Sequence, residues 1–114
     1  LTCLTIIAIT AAMIIDGDTV RLPGENARLT RAGDAPFDAP ETWRPDCRSE
    51  ARLGAQATGV VRSMMPGELC IIGYGAGGYG RHLAVLYGED GRDVGQALLD
   101  MGLAQPAMSY DWCR

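Results

Sequence analysis

Residues 1–15 form an uncharged run in which Leu4, Ile6, Ile7, Ile9 and Ile14 alternate loosely with Thr2, Thr5 and Thr10. Such a density of β-branched residues predicts a strand over residues 5–15. The same run, with Ala11-Ala12 near its end, also reads as the remnant of a secretory signal over residues 1–12. It is too short to span a bilayer. Asp16-Gly17 then marks a tight turn, and Thr19-Val20-Arg21-Leu22 a second strand. Pro23 to Asn26 form another turn before a third strand at Ala27-Arg28-Leu29-Thr30. Residues 31–45 contain Pro36, Pro40 and Pro45 and predict a stiff loop with neither helix nor ladder.

Periodicity changes after Pro45. Leu53, Ala57, Val60, Val61 and Met64 make one apolar stripe, with Asp46 as the expected N-cap and Glu50 in the first turn. Pro66-Gly67 ends this helix. Leu69-Cys70-Ile71-Ile72 and His82 to Tyr87 read as strands on either side of a glycine-rich stretch from Gly73 to Gly80. A second, short helix is predicted from an Asp93 cap to Met101, with Val94, Ala97, Leu98 and Met101 on one face and Gly102 as its stop. Three strands, a helix, two strands and a short helix define an α+β, mainly β architecture. It suits a five-stranded Greek-key barrel with a helix packed at one end.

Composition narrows the picture. The chain has 114 residues, enough for a single domain over 1–114, and its 47% hydrophobic and 21% charged content is that of a globular fold. A formal net charge of −4 argues against a nucleic-acid binder held by bulk positive charge. It leaves room for a local arginine site inside an acidic shell. All ten basic residues are arginine; genome bias accounts for that, yet each one can grip a phosphate with two parallel donors. Cys3, Cys47, Cys70 and Cys113 show no C-x-x-C pair, which disfavours zinc and redox motifs. An even count favours disulfides and an oxidising compartment. Three full pairings are open, as are free buried thiols.

Four short pieces carry candidate chemistry: Asp16-Gly17-Asp18-Thr19, Arg28-Leu29, Asp38-Ala39-Pro40-Glu41 and Tyr79-Gly80-Arg81. Read singly, the first is a solvated turn with Asp16 bonding backbone amides, and the others are a strand, a proline turn and a loop arginine. In this order, and joined to Asp90 through Ala104, they resemble the thermonuclease family, that of staphylococcal nuclease, from about Ile14 to Ala104. The resemblance implies an OB-fold and a calcium-dependent endonuclease acting on DNA and RNA and leaving 3′-phosphates. It assigns calcium to Asp18, Asp38 and the carbonyl of Ala39, and water activation to Glu41. Arg28 and Arg81 would clamp the phosphate, and Tyr79 and Tyr110 would contact substrate. These residue types suit the reaction, since attack on a phosphodiester builds negative charge that a hard cation and guanidinium groups can offset.

The departures from the family pattern are specific. Arg28 lies ten residues before Asp38, a longer interval than relatives have, so residues 31–36 read as an insertion. It holds an incomplete copy, Asp34-Ala35-Pro36, followed by Phe37 where glutamate is required. Arg31 is thereby an alternative clamp. Gly77 stands where relatives often carry an acid, and Met108 where one base-flanking tyrosine would be. The long C-terminal helix of the larger family member is missing; a disulfide from Cys113 back to the barrel would take its place as a stabiliser.

His82 reads as a strand histidine with a backbone partner, or as an acid or metal ligand. Trp43 and Trp112 read as packing residues, or as stacking platforms for bases. The expected protein is a secreted or periplasmic monomer without membrane contact, with DNA and RNA as substrates. A catalytically inactive OB-fold module binding nucleic acid or protein is the alternative, and a small disulfide-stabilised domain without phosphate chemistry a third.

Overall fold

A computed structural model describes residues 2–75 and 80–114. Strand β1 covers Thr5–Ile9, β2 Ile14–Asp16, β3 Thr19–Arg21, β4 Asn26–Arg31, β5 Ala35–Pro36, β6 Gly67–Gly75 and β7 Gly80–Tyr87. Helix α1 spans Arg48–Ser63 and α2 Val94–Asp100. The main path of the sheet runs β1-β6-β7-β4-β3-β2, with β5 added on β4. Among the described residues, only β4 and β7 pair in parallel, and the other ladders are antiparallel. This curled half-barrel with two helices is the expected OB-fold-like, mainly β α+β fold.

The first predicted strand is in fact two. β1 pairs with β6 at one edge of the sheet, and β2 with β3 at the other. A 3-10 turn at Ala11–Met13 makes the corner between them. One apolar run thus serves both edges of a curled sheet, and such a run must bend to change partners. Thr10, Ala11 and Ala12 are exposed there, whereas Ile9 and Ile14 on either side are buried. Cys3 is joined to Cys70, tying the start of this run to β6.

Residues 31–45 are also corrected. Ala35 and Pro36 return on Arg31 and Thr30 as β5, so a ladder does form in the predicted loop. The turn between the strands places Asp34 at a φ of 54°, a conformation aspartate tolerates better than most residues. Pro36 is accommodated because β5 is a short strand lying off the main path.

Inward side chains follow period two along the strands: Ala27 and Leu29, Leu69 and Ile71, Ala84 and Leu86 are all buried. Phe37, the odd residue of the incomplete copy, is wholly buried and packs on Gly95 of α2. The buried line of α1 runs through Glu50, Gly54, Ala57, Thr58 and Val61. It is turned slightly from the predicted stripe, whose Leu53, Val60 and Met64 are only partly buried. Small residues face inward because the helix sits directly on the backbone of the 38–41 loop: a side-chain carbon at Gly54 would collide with the Glu41 carbonyl. The N-cap is Cys47 rather than Asp46, with its sulfur accepting from the Glu50 amide at 3.4 Å. Asp93 caps α2 as predicted, accepting from the Gln96 amide. Met101 is that helix's exposed C-cap, not part of its buried face.

Candidate active site

The turn between β2 and β3 positions the first acid. Asp16 accepts the Asp18 amide at 3.2 Å, and the Asp18 carbonyl accepts from the Leu29 amide at 2.9 Å. Asp18 is 3% exposed. One of its carboxylate oxygens, Oδ1, accepts from the Thr19 hydroxyl at 3.1 Å; the other, Oδ2, accepts from the Ala39 amide at 2.9 Å. Close approach of this turn to the 38–41 loop needs a glycine, since a Cβ at Gly17 would lie 2.7 Å from that of Ala39.

Arg28, on β4, joins the two acids. Its Nη1 lies 3.0 Å from Asp18 Oδ2, and its Nη2 3.6 Å from Asp38 Oδ1. Nη2 also donates to the Phe37 carbonyl at 2.8 Å. The alternative clamp, Arg31, points elsewhere, donating to Gln96 Oε1 and the Pro36 carbonyl. Of the two arginines, Arg28 is the one among the acids. Arg81 lies on β7 two residues before Leu83, the register partner of Arg28. Period two therefore puts Arg81 on the face of the sheet that Arg28 occupies. Tyr79 lies outside the described residues.

The 38–41 loop is held from three sides. Asp38 exchanges both backbone bonds with Gln105 at 2.9 Å. Its Oδ2 accepts from the Trp112 indole at 3.0 Å and from the Tyr110 amide at 3.1 Å. Tyr110 itself is half exposed, edge-on to Trp112. The Cys47–Cys113 disulfide fastens this tail to the cap of α1. From that first turn the buried Glu50 carboxylate reaches back to accept the Asp46 and Glu41 amides. A carboxylate at this position commonly turns back on the chain entering its helix.

Negative charge is crowded here. Burial, and then the charge of Asp18, raises the Asp16 pKa to about 8. Asp38 is raised by burial, against the opposing hydrogen bond from Trp112. Glu41 is raised by partial burial and by Asp18, Glu50 and Asp38 around it. A polar hollow of about 320 Å³ opens between Asp38, Glu41, Glu50, Arg44 and Tyr110. An apolar recess of about 240 Å³ borders Arg28, lined by Leu29, Pro36, Leu83 and Met108.

Glu50 and Trp112 join the site unexpectedly, since the sequence marks Glu50 only as a first-turn acid, Trp112 as a packing residue or stacking platform, and Asp16 only as a turn former. Trp112 is buried and packs, but it also orients Asp38. Its position beside Cys113 was the available sign that the tail is anchored. Trp43, in contrast, is 68% exposed and packs into no core. The partner of His82 is a side chain, not the backbone: its Nδ1 lies 2.8 Å from Glu25 Oε1.

Fold and site together define a small OB-fold-like domain with a carboxylate-arginine centre at the junction of β2, β4 and the 38–41 loop. The family of staphylococcal nuclease homologues matches residues 35–113, and the chain belongs to that family. The matched span includes Asp38, Glu41, Arg81 and Tyr110, while Asp18 and Arg28 precede it. The chain is also similar to the succinoglycan biosynthesis protein ExoI of Rhizobium meliloti (strain 1021), at 28% identity over 99 residues. That alignment covers 82% of this chain and 49% of ExoI, so the chain spans about half the length of this relative. Membership makes the chain a homologue of staphylococcal nuclease over most of its length. Among the described residues no helix is long and apolar enough to cross a membrane.

Proposed function

We propose that this chain is an endonuclease that uses calcium to hydrolyse phosphodiester bonds of DNA and RNA, leaving 3′-phosphates. The observation that carries this reading is Arg28, held 3.0 Å from Asp18 and 3.6 Å from Asp38, with Glu41 on the same short loop. Hydrolysis adds negative charge to a phosphate that already repels nucleophiles. Arg28 and Arg81 stay charged and offer paired donors to the phosphate oxygens. Glu41 orients and deprotonates the attacking water, and its raised pKa brings it nearer to the range in which a base works well at neutral pH. Trp112 and Gln105 keep Asp38 in place through this step. Backbone contacts carry no base code, so weak sequence preference is expected.

The donor set suits a hard cation. Asp18 and Asp38 offer carboxylate oxygens and Ala39 a carbonyl, and calcium accepts such mixed oxygen ligands with water completing the shell. Among the described residues no three His, Cys, Asp or Glu side chains gather as a metal cluster, which leaves backbone and water a large share of the ligation. Calcium held there would supply positive charge opposite the charge developing on the phosphate. The two disulfides fit an oxidising compartment, and we place the protein outside the cytoplasm, secreted or periplasmic.

One feature favours an inactive binding module instead: Arg28 is already engaged by two carboxylates and by the carbonyls of Phe37 and Met108. Cleavage assays separate the two readings. Plasmid and single-stranded DNA should be degraded with added calcium and spared with a chelator, and the products should carry 3′-phosphates. Glu41→Gln and Arg81→Ala should each lower the rate by roughly 10²–10³ without unfolding the protein, the usual loss when one transition-state contact is removed. Binding without turnover supports the module. Full activity in both variants refutes the assigned site.

A further inference from the structure

We propose that Trp43 and Arg44 form a second subsite, beside the candidate active site, that stacks one base of a single-stranded nucleic acid and contacts its phosphate. This rests on the nucleic-acid reading above and extends it to two residues that the cleavage chemistry does not use. Among the described residues, Trp43 is the most exposed of the large apolar side chains, at 68%. Its ring has the Arg44 guanidinium above it, with Cζ 5.5 Å from the ring centre. Arg44 makes no ion pair or hydrogen bond among the described residues, although it borders a hollow lined by Asp38, Glu41, Asp46 and Glu50. An arginine that pairs with none of the four acids beside it and rests on an indole keeps its donors available to a ligand.

The loop is built rather than frayed. Thr42 donates to the Ile15 carbonyl at 3.1 Å, the Glu41 and Asp46 amides are bonded by Glu50, and Cys47 is fixed by its disulfide. Arg44 holds a φ of 56°, an unfavourable backbone state for a non-glycine residue that persists where the surroundings enforce it. The indole carried by this held loop is left exposed and gains little from packing. An aromatic face beside a guanidinium is the recurrent means of holding unpaired bases, since every base has a π face. Bases within a duplex are already stacked, so the subsite should favour single strands. Arg44 also supplies positive charge that a polyanion needs at the edge of an acidic hollow in a chain of net charge −4.

The test is equilibrium binding of a fluorescently labelled oligothymidylate to the Glu41→Gln protein, with or without a second substitution. Trp43→Ala should weaken binding by about fivefold or more, the lower range for one stacked base, and Trp43→Phe should restore most of it. Arg44→Ala should reduce the steepness of the salt dependence by somewhat less than one unit. The matching duplex should bind with an affinity that Trp43→Ala does not change. Oligothymidylate bound equally well by Trp43→Ala overturns the subsite and leaves the nuclease reading standing. Failure of the Glu41→Gln parent to bind any oligonucleotide removes both. Self-association that disappears in Trp43→Ala, with oligonucleotide binding unchanged, would make the indole a contact between copies and likewise overturn the proposal.

Discussion

Asp16 is an acid that the fold keeps protonated through neutral pH. Its pKa is raised from 3.8 to about 8, chiefly by burial and next by the Asp18 charge. The native state therefore holds a proton that the unfolded chain releases above pH 4, and stability falls as pH rises from about 4 to 8. Asp16→Asn keeps an oxygen for the Asp18 amide and removes the charge. Thermal melts in a chelating buffer should show this variant more stable than the parent at pH 9 and nearly equal to it at pH 4; identical profiles would refute the assignment. Trp112 acts differently, by giving Asp38 a donor. Trp112→Phe preserves the ring's bulk and should lower kcat by about tenfold with KM little changed, as expected for one hydrogen bond to a charged group.

At the scale of elements, the hairpin of β4 and β5 explains how ten residues can separate Arg28 from Asp38 without parting them. Folding Ala35–Pro36 back on Thr30 and Arg31 returns the chain to its starting point. The Phe37 carbonyl and Asp38 then meet the guanidinium they would otherwise have left behind. Arg31 is spent on fastening this hairpin to α2 through Gln96 and on bridging its two strands through the Pro36 carbonyl, and Asp93 assists by accepting the Ala32 amide at 2.8 Å. Arg31→Ala should therefore lower the melting temperature and leave nuclease activity nearly unchanged. Arg28→Ala should abolish activity. Calorimetry and plasmid cleavage on the same preparations distinguish the two, and reversal of the pattern would move the clamp to Arg31.

For the molecule as a whole, the two disulfides have unequal consequences. Cys3–Cys70 secures an edge strand, and Cys47–Cys113 joins the segments that carry Glu50, Tyr110 and Trp112. Each closes a loop of similar length, with sequence separations of 67 and 66. Loop entropy alone assigns each about 4 kcal/mol, and measured losses usually fall near 2–4 kcal/mol. Paired serine substitutions at either bridge should thus destabilise the protein to a similar degree. Only the Cys47/Cys113 pair should also depress the specific activity of the folded fraction, because the tail that orients Asp38 is then released.

The turn at Asp16-Gly17, both helices and the cap at Asp93 could all be read from neighbouring positions, because period and turn chemistry are local. Asp18, Asp38 and Glu41 lay in short motifs that read singly as a solvated turn and a proline turn, and only their order along the chain drew them together as a candidate site. The corner at Ala11–Met13 could not be read, since an unbroken apolar run carries no mark of the place where it changes partners. The Arg-Leu strand context already favoured Arg28 over Arg31, but the hairpin that returns Asp38 to Arg28 was not legible, because β5 lies in a proline-bearing stretch that reads as loop. The bond from Trp112 to Asp38 spans 74 residues and the bridge from Cys47 to Cys113 spans 66. Contacts at such distances arise when a curled sheet brings remote segments together, and no local pattern in the chain encodes them.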